Sequence, residues 1–206
     1  MTAVKICGIT RQADAAAAAR YGAHAIGFVF FAKSPRNVGL AVARDVVNAL
    51  PPFMSAVGLF VNPAADEVAN VLANVRLDLL QFHGEETPEF CAGFGVPFIK
   101  AARVKAGLDL IQYARDYRVA RGLILDAFVD GTHGGTGTAF DWSLIPSSLP
   151  LPIVLSGGLN PANVADAIRR VSPWAVDVSS GVEASPGIKD PQKIAAFMKE
   201  VRSADV

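Results

Sequence analysis

The stretch Val4-Lys5-Ile6-Cys7-Gly8-Ile9-Thr10 predicts a β-strand that ends in a sharp bend. Val4 and Ile6 are β-branched and alternate with Lys5 and Cys7, which is typical of a strand. Because side chains two residues apart share one face of a strand, Cys7 points the same way as Lys5. The stretch therefore places a thiol at the carboxyl end of the first strand, where β/α folds carry their catalytic groups. A free cysteine is more often a small buried apolar residue, and the local sequence alone favours that interpretation.

The same order of strand and helix repeats along the rest of the chain. Apolar runs typical of strands covered by helices on a parallel sheet alternate with helical segments. The runs lie at residues 4–7, 25–30, 54–61, 77–82, 96–101, 122–125, 152–155 and 175–178. Eight units of about 26 residues predict an α/β fold, an eight-stranded parallel (β/α)8 TIM barrel that forms one domain over residues 1–206. The main alternative, an open doubly wound sheet, usually carries a G-x-G-x-x-G fingerprint in its first turn, and Gly8-Ile9-Thr10 does not.

Three dipeptides are expected to begin helices of this barrel. Asn62-Pro63, Thr87-Pro88 and Asn160-Pro161 each follow a predicted strand. Asparagine and threonine are favourable helix N-caps, and proline is favourable at the first helical position. A helix is therefore predicted directly after each pair.

The composition excludes several classes of protein. Hydrophobic residues make up 51% of the 206 residues, which is enough for a large core, and 19 basic residues balance 19 acidic ones. This balance predicts no nucleic-acid partner and no anionic membrane surface. No apolar run reaches the roughly 18 residues that span a bilayer, and residues 1–10 lack a signal-peptide pattern. With Cys7 and Cys91 as the only cysteines, no disulfide framework is expected, and a cytoplasmic location is predicted.

Chemically active side chains follow several of the predicted strands. Closing parallel strands into a barrel brings all of their carboxyl ends to one mouth. The candidates there are Cys7, Arg36, Gln81, His83, Asp126, Ser156-Gly157-Gly158 and residues 177–181. No pair of histidines, aspartates or glutamates among them has metal-ligand spacing, so no metal is expected.

Two glycine-containing turns predict a phosphate site. Gly157 and Gly158 follow the seventh predicted strand, and Ser180 and Gly181 follow the eighth. Glycines allow backbone N–H groups to approach an anion closely, and TIM barrels often bind phosphate between these two loops. Two ordinary tight turns are the alternative.

Other candidates also have structural interpretations. Arg36 offers a planar fork for a carboxylate or phosphate, but it also fits a solvated surface arginine. His83 fits a general base or a packed, hydrogen-bonded histidine, and Cys91 fits packing within a helix. Lys5 needs a carboxylate partner inside the barrel, for which Asp177 is the candidate, unless its head reaches solvent at the other end. The glycine-rich segment 131–137 fits a mobile flap over the mouth or a connection without a role.

Taken together, these motifs resemble those of the phosphoribosylanthranilate isomerase family over essentially the whole chain. The resemblance rests on Lys5–Thr10, Gly27–Phe30 with Ser34-Pro35-Arg36, Gln81–Glu85, Leu125-Asp126, Phe140-Asp141-Trp142, Leu155–Pro161 and Val176–Glu183. It implies a cofactor-free barrel that rearranges N-(5'-phosphoribosyl)anthranilate to 1-(2-carboxyphenylamino)-1-deoxyribulose 5-phosphate in tryptophan biosynthesis. The partner implied is this small phosphorylated substrate, and the sequence leaves both a monomer and a homodimer open.

The resemblance also implies residue roles. Cys7 would be the general base, Asp126 the general acid, Arg36 the contact for the anthranilate carboxylate, and the two glycine turns the phosphate site. Gln81, His83 and Asp177 would be further substrate-binding residues. We expect Lys5 or a strand-end dipole to lower the pKa of Cys7, and burial beside Asp177 to raise the pKa of Asp126.

Two other functions fit the same framework. Another phosphosugar enzyme is possible, such as a metal-dependent epimerase, an indole-forming synthase or an aldolase that uses Lys100 for a Schiff base. The chain could also be a catalytically inactive barrel that senses a phosphorylated metabolite. Such a sensor would be expected to lack the acid or the base, whereas Cys7 and Asp126 are both present.

Overall fold

A closed barrel of eight parallel strands forms the centre of the protein. The computed structural model describes residues 1–127 and 141–204. Each strand pairs with its neighbours in sequence, and the first pairs with the eighth, so the predicted (β/α)8 barrel is confirmed. The strands are β1 (Ala3–Cys7), β2 (Ala25–Val29), β3 (Ser55–Phe60), β4 (Leu79–Phe82), β5 (Phe98–Val104), β6 (Leu123–Ala127), β7 (Ile153–Leu155) and β8 (Ala175–Val178).

Helices cover the outside of this barrel. Short 3₁₀ turns at Trp142–Leu144 and Ser180–Val182 follow β6 and β8, and the turn after β8 leads through a hairpin into the last helix. The α-helices are α1 (Gln12–Tyr21), α2 (Leu40–Asn48), α3 (Ala65–Asn74), α4 (Pro88–Ala92), α5 (Leu110–Asp116), α6 (Val164–Val171) and α7 (Pro191–Ala204). The apolar core includes fully buried residues such as Phe28, Phe60 and Phe82. Along their strands these residues alternate with residues of the other face, such as Gly27 and Gln81. None of the described helices is both long and apolar enough to cross a bilayer.

Only one of the three predicted helix starts is confirmed. The hydroxyl of Thr87 accepts a hydrogen bond from the N–H of Phe90 at the start of α4. The prediction for Asn62-Pro63 is wrong, because α3 begins only at Ala65. Asn62 has a left-handed backbone (φ 47°), and its side-chain carbonyl accepts the N–H of Glu85, so it fastens the loop after β4 instead of capping α3.

The prediction for Asn160-Pro161 is also wrong. The side-chain oxygen of Asn160 accepts the N–H of Ala162, and that of Asn163 accepts the N–H of Asn160. These two bonds form a turn, and α6 begins after it at Val164. Asparagine side chains bond to nearby backbone in turns as readily as at helix starts, so the dipeptide alone does not separate the two.

A small antiparallel hairpin after β8 is not predicted by the sequence. It consists of β9 (Glu183–Ser185) and β10 (Ile188–Lys189), joined through Gly187, whose φ is 79°. The hydroxyl of Thr10, just after β1, donates to the carbonyl of Gly187 at 2.5 Å. The hairpin therefore brings two buried charged residues, Glu183 and Lys189, to the loops at the carboxyl end of the barrel.

Candidate active site

A cavity opens at the carboxyl ends of the strands. Its lining residues come from strands β1 to β4, β6 and β8 and from the loops after β2, β3 and β4, together with Ser156 and Ser179 at the ends of β7 and β8. The predicted site residues that line it are Cys7, Arg36, Gln81, His83, Asp126 and Asp177. Residues separated by more than 100 positions in sequence therefore converge on one space.

One wall of the cavity, formed by β1 and β8, carries an ion pair next to the thiol. Lys5 lies opposite Asp177 in the strand register, and its Nζ donates to Asp177 Oδ1 at 2.8 Å. Both side chains are buried, so the predicted pairing is confirmed and the alternative of a solvated lysine head is wrong. A Cβ on Gly27 would lie 2.9 Å from Cys7 Sγ and 3.0 Å from Lys5 Cε, so a glycine on β2 leaves the space that both side chains occupy.

Burial is the largest single influence on the pKa values of Cys7 and Lys5. It raises the pKa of Cys7, and Asp177 adds to this, while the positive charges of Lys5 and Lys189 act in the opposite direction without cancelling it. The expectation that the pKa of Cys7 is lowered is therefore wrong. Burial by itself lowers the pKa of Lys5, but the charges of Asp177 and Cys7 outweigh it and the net pKa is raised. The wall accordingly holds a thiol beside a fixed ammonium–carboxylate pair.

The opposite set of groups, on β6 and at the end of β4, is a chain of hydrogen bonds. Gln81 Nε2 lies 3.0 Å from His83 Nδ1, and His83 Nε2 lies 3.1 Å from Asp126 Oδ2. All three side chains are buried. His83 is therefore hydrogen-bonded, as one of its two interpretations predicted. Asp177 is held by Lys5, and His83 is the neighbour of Asp126 in this chain of hydrogen bonds.

Arg36 reaches the cavity by crossing the turn after β1. Gly8 has a φ of 77°, and a Cβ there would lie 2.6 Å from Arg36 Cδ, so glycine permits both the turn and the crossing. Arg36 Nε and Nη2 donate to the two carboxylate oxygens of Glu183, each at 2.8 Å. Lys189 Nζ donates to the same carboxylate at 2.7 Å. Arg36 is thus a fixed member of the site and not a solvated surface arginine.

Glu183 and Lys189 were not among the candidates from sequence. Burial alone would raise the pKa of Glu183, but the hydrogen bonds and charges of Arg36 and Lys189 lower it, so the carboxylate stays ionised. Burial lowers the pKa of Lys189. Glu183 ends a motif used for the family resemblance, yet no local pattern links it to Arg36, since 147 residues separate the two.

The two predicted phosphate turns lie against each other. Gly157 and Gly158 both have left-handed backbones, with φ of 83° and 66°. A Cβ on Gly181 would overlap the carbonyl oxygen of Leu159, so the loop after β8 packs directly on the loop after β7. The turns follow Ser156 and Ser179, which line the cavity. Both turns therefore adjoin a lining residue, although the turns themselves do not line the cavity.

Two other predicted features lie away from this cavity. Lys100 is fully buried, and its Nζ donates to the carbonyl of Gly84 at 2.6 Å and to Glu86 Oε2 at 3.1 Å; it is absent from the cavity lining, which disfavours a Schiff-base role. Cys91 is buried in α4, where burial raises its pKa to about 12, as expected for a packing residue. No three potential metal ligands cluster within residues 1–127 and 141–204. The glycine-rich segment 131–137 and Phe140 lie outside the described residues.

The comparisons with known proteins assign a family to this arrangement. Residues 4–200 match the family model described as N-(5'-phosphoribosyl)anthranilate (PRA) isomerase. The chain belongs to this family. It is 58% identical over 198 residues to the N-(5'-phosphoribosyl)anthranilate isomerase of Nitrosospira multiformis, covering 96% of this chain and 95% of the relative. The resemblance inferred from the sequence is therefore confirmed.

Solved structures of family members share the fold. The phosphoribosylanthranilate isomerase of Thermotoga maritima matches with a TM-score of 0.90 at 44% identity, covering 98% of this chain and all of that one. A second structure, of the isomerase in complex with reduced 1-(o-carboxyphenylamino)-1-deoxyribulose 5-phosphate, matches with a TM-score of 0.87 at 43% identity, with the same coverage of both chains. These relatives are isomerases with the barrel architecture described above.

Proposed function

We propose that the chain converts N-(5'-phosphoribosyl)anthranilate to 1-(2-carboxyphenylamino)-1-deoxyribulose 5-phosphate, the isomerisation in tryptophan biosynthesis, with Cys7 as base and Asp126 as acid. Family membership supports the reaction. The observation that carries the residue roles is the convergence of Cys7 and Asp126, from β1 and β6, on one cavity. An aldose-to-ketose rearrangement needs one proton donor and one proton acceptor within reach of the same sugar.

Asp126 is suited to the first step. Opening the ribose ring requires a proton on the ring oxygen as the C1'–O bond breaks, and a carboxylic acid in the cavity can supply it. His83 Nε2, 3.1 Å from Asp126 Oδ2, accepts a hydrogen bond from the protonated acid when His83 carries its proton on Nδ1. With its proton on Nε2 instead, His83 donates a hydrogen bond to the ionised carboxylate. The Gln81 amide next to Nδ1 has both a donor and an acceptor and can match either tautomer.

Cys7 is suited to the second step. Ring opening leaves an imine at C1', which makes the C2' hydrogen acidic, and a base removes that proton to give an enol that tautomerises to the ketone. The thiolate is the basic form of cysteine. Because burial raises the pKa of Cys7, the reactive fraction increases with pH, and the Lys5 ammonium on the same face stabilises the thiolate when it forms.

The two charged ends of the substrate have separate sites in this proposal. Arg36 lines the cavity and binds the anthranilate carboxylate. The amides of the turns at Gly157-Gly158 and Ser180-Gly181 bind the phosphate at the edge of the cavity. Holding both ends fixes the sugar between the acid and the base, and such positioning accelerates proton transfer. Asp177 and the Gln81–His83 pair complete the polar lining.

Turnover of N-(5'-phosphoribosyl)anthranilate tests the proposal. The purified chain should consume the substrate, followed by loss of its fluorescence, and give the ketose product. The double variant Cys7→Ser/Asp126→Asn is the matched control, because it keeps the shape of the cavity while removing both proton-transfer groups. Absence of turnover in the folded wild-type chain, or equal turnover in the control, would contradict the proposal.

The remaining assignments concern assembly and location. We propose one domain over residues 1–206 and a cytoplasmic location, supported by two free, buried cysteines. A monomer and a homodimer are the candidate states. One solved relative consists of monomers generated from the dimeric Thermotoga maritima enzyme, and Phe53 and Trp174 are exposed aromatic residues near the starts of β3 and β8. Sedimentation equilibrium distinguishes the two states.

A further inference from the structure

The guanidinium of Arg36 has two edges that can each bind a carboxylate, and only one is occupied by the protein. Nε and Nη2 donate to Glu183 in a two-pronged contact. Nη1 has no acceptor among the described residues, and Nη2 keeps a second N–H. The Nη1–Nη2 edge is therefore available at the cavity that Arg36 lines.

Glu183 is itself held from several sides. Lys189 Nζ donates to Oε1 at 2.7 Å, and the backbone N–H of Gly187 donates to the same oxygen at 3.3 Å. Lys189 Nζ also donates to the carbonyl of Ser179 at 3.2 Å, which ties the hairpin to the end of β8. Glu183 and Lys189 are both buried, so the carboxylate has one defined position.

We propose that Glu183 and Lys189 position Arg36 as the reader of the substrate carboxylate. This inference rests on the proposed function, in which Arg36 binds that carboxylate. Glu183 fixes the plane of the guanidinium by occupying its Nε–Nη2 edge, so that the Nη1–Nη2 edge can meet the substrate carboxylate with two parallel hydrogen bonds. Both are positioning residues, because they act through Arg36.

Charge explains why the lysine belongs to this unit. Arg36 and Glu183 alone would form a neutral pair, with little attraction for a second carboxylate. Adding Lys189 leaves the three residues with a net charge of +1, so the cluster still attracts an anion. The hairpin therefore supplies Glu183, which holds Arg36, and Lys189, whose positive charge offsets the negative charge of Glu183.

A masking contact is the competing explanation. In that case Glu183 occupies Arg36 only until the substrate carboxylate displaces it, and weakening Glu183 would make substrate binding tighter. The positioning role predicts that weakening Glu183 makes substrate binding weaker. The effect of one substitution on KM therefore separates the two explanations.

The experiment compares kcat/KM for N-(5'-phosphoribosyl)anthranilate and for N-(5'-phosphoribosyl)aniline, which lacks the carboxylate. Both are formed in situ from ribose 5-phosphate and the amine. The ratio of the two values does not depend on the fraction of active protein, so a partly folded preparation gives the same answer. Effects on Cys7, whose pKa responds to Lys189, also cancel in it.

Glu183→Gln should lower this ratio about tenfold, mainly by raising KM for the anthranilate substrate, because the amide can accept only one of the two hydrogen bonds that fix the guanidinium, and this loss outweighs the added positive charge of the cluster. Lys189→Met should lower it about threefold through loss of the compensating charge. A ratio within twofold of wild type in Glu183→Gln, or a lower KM for the anthranilate substrate, would overturn the proposal.

Two further variants complete the test. Glu86→Gln is the matched control, since Glu86 is also buried against a lysine, Lys100, but does not line the cavity; it should lower stability and leave the ratio unchanged. Should Glu183→Gln fail to fold, Glu183→Gln/Lys189→Met removes both buried charges and must show the same loss. Arg36→Met distinguishes failure of the proposed function from failure of the positioning role. An unchanged ratio in Arg36→Met contradicts the proposed function of Arg36. A lower ratio in Arg36→Met but not in the Glu183 and Lys189 variants contradicts the positioning role.

Discussion

The two proton-transfer groups of the cavity lie in different kinds of environment. Cys7 lies on a wall whose charges are fixed, because Lys5 and Asp177 form a buried ion pair directly across β1 and β8. Asp126 ends a chain through His83 and Gln81 in which each link depends on where a proton lies. We call these the base wall and the acid wall.

This difference teaches that one barrel can tune two groups by separate means. On the base wall, charges on neighbouring strands raise or lower the pKa of a buried thiol, so substitutions there should shift pH dependence. On the acid wall, the ring nitrogen of His83 beside Asp126 can accept from the carboxylic acid or donate to the carboxylate, depending on its tautomer, so substitutions there should mainly change the rate. Four predictions test this contrast.

The largest effect is expected for the base. Cys7→Ser should lower kcat about 10³- to 10⁴-fold, because a hydroxyl is a far weaker base than a thiolate. Steady-state kinetics by loss of substrate fluorescence measures it. Cys91→Ser, the same change in the buried cysteine of α4, should keep near-normal kcat. A near-normal rate in Cys7→Ser would move the role of base to His83.

A smaller loss, about 10²- to 10³-fold, is expected for Asp126→Asn. The acid wall still contains His83, whose Nε2 lies 3.1 Å from the position of the lost carboxylate and can carry a proton. The variant should bind the reduced product analogue as wild type does, measured by calorimetry. His83→Asn added to Asp126→Asn should lower kcat further. If Asp126→Asn kept its rate, or the second substitution had no effect, the acid wall would be wrongly assigned.

The base wall should also respond to charge with a defined sign. Lys5→Met removes a positive charge that opposes the raised pKa of Cys7, so that pKa should rise further and kcat/KM at pH 7 should fall about threefold to tenfold. Activity should recover as the pH is raised toward the thiol pKa. Asp177→Asn removes a negative charge and should move the ascending limb of the pH profile to lower pH. If the ascending limb moved in the same direction in both variants, or moved in neither, the ion pair would not tune the pKa of Cys7.

The smallest effect is expected at the outer end of the acid wall. Gln81→Leu removes the group beside His83 Nδ1 but leaves the bond between His83 and Asp126. We expect kcat to fall about threefold, because the tautomer of His83 is no longer supported by a hydrogen bond. The ascending limb of the pH profile should not move. A shift of that limb as large as that in Lys5→Met would remove the distinction between the two walls.

Much of the cavity was predictable from the sequence because parallel strands in a barrel end at one mouth. Cys7, Asp126 and Asp177 all line the cavity, as expected of residues at strand ends. The Lys5–Asp177 pair was predictable as well, since a buried lysine needs a carboxylate partner. The helix starts were less predictable: Thr87 caps α4, but Asn62 fastens a different loop, because the short side chain of asparagine serves turns as well as caps.

The sequence by itself determined the eight-stranded barrel, the family and the set of side chains at its mouth, because strand periodicity and strand ends are local properties. Only the tertiary structure decided how those side chains are paired. The contact between Arg36 and Glu183 joins residues 147 positions apart through a hairpin without a sequence signal. The sign of the pKa shift of Cys7 was likewise decided by the fold. Burial raises this pKa by more than the nearby lysines lower it, and the thiol is buried only in the folded barrel.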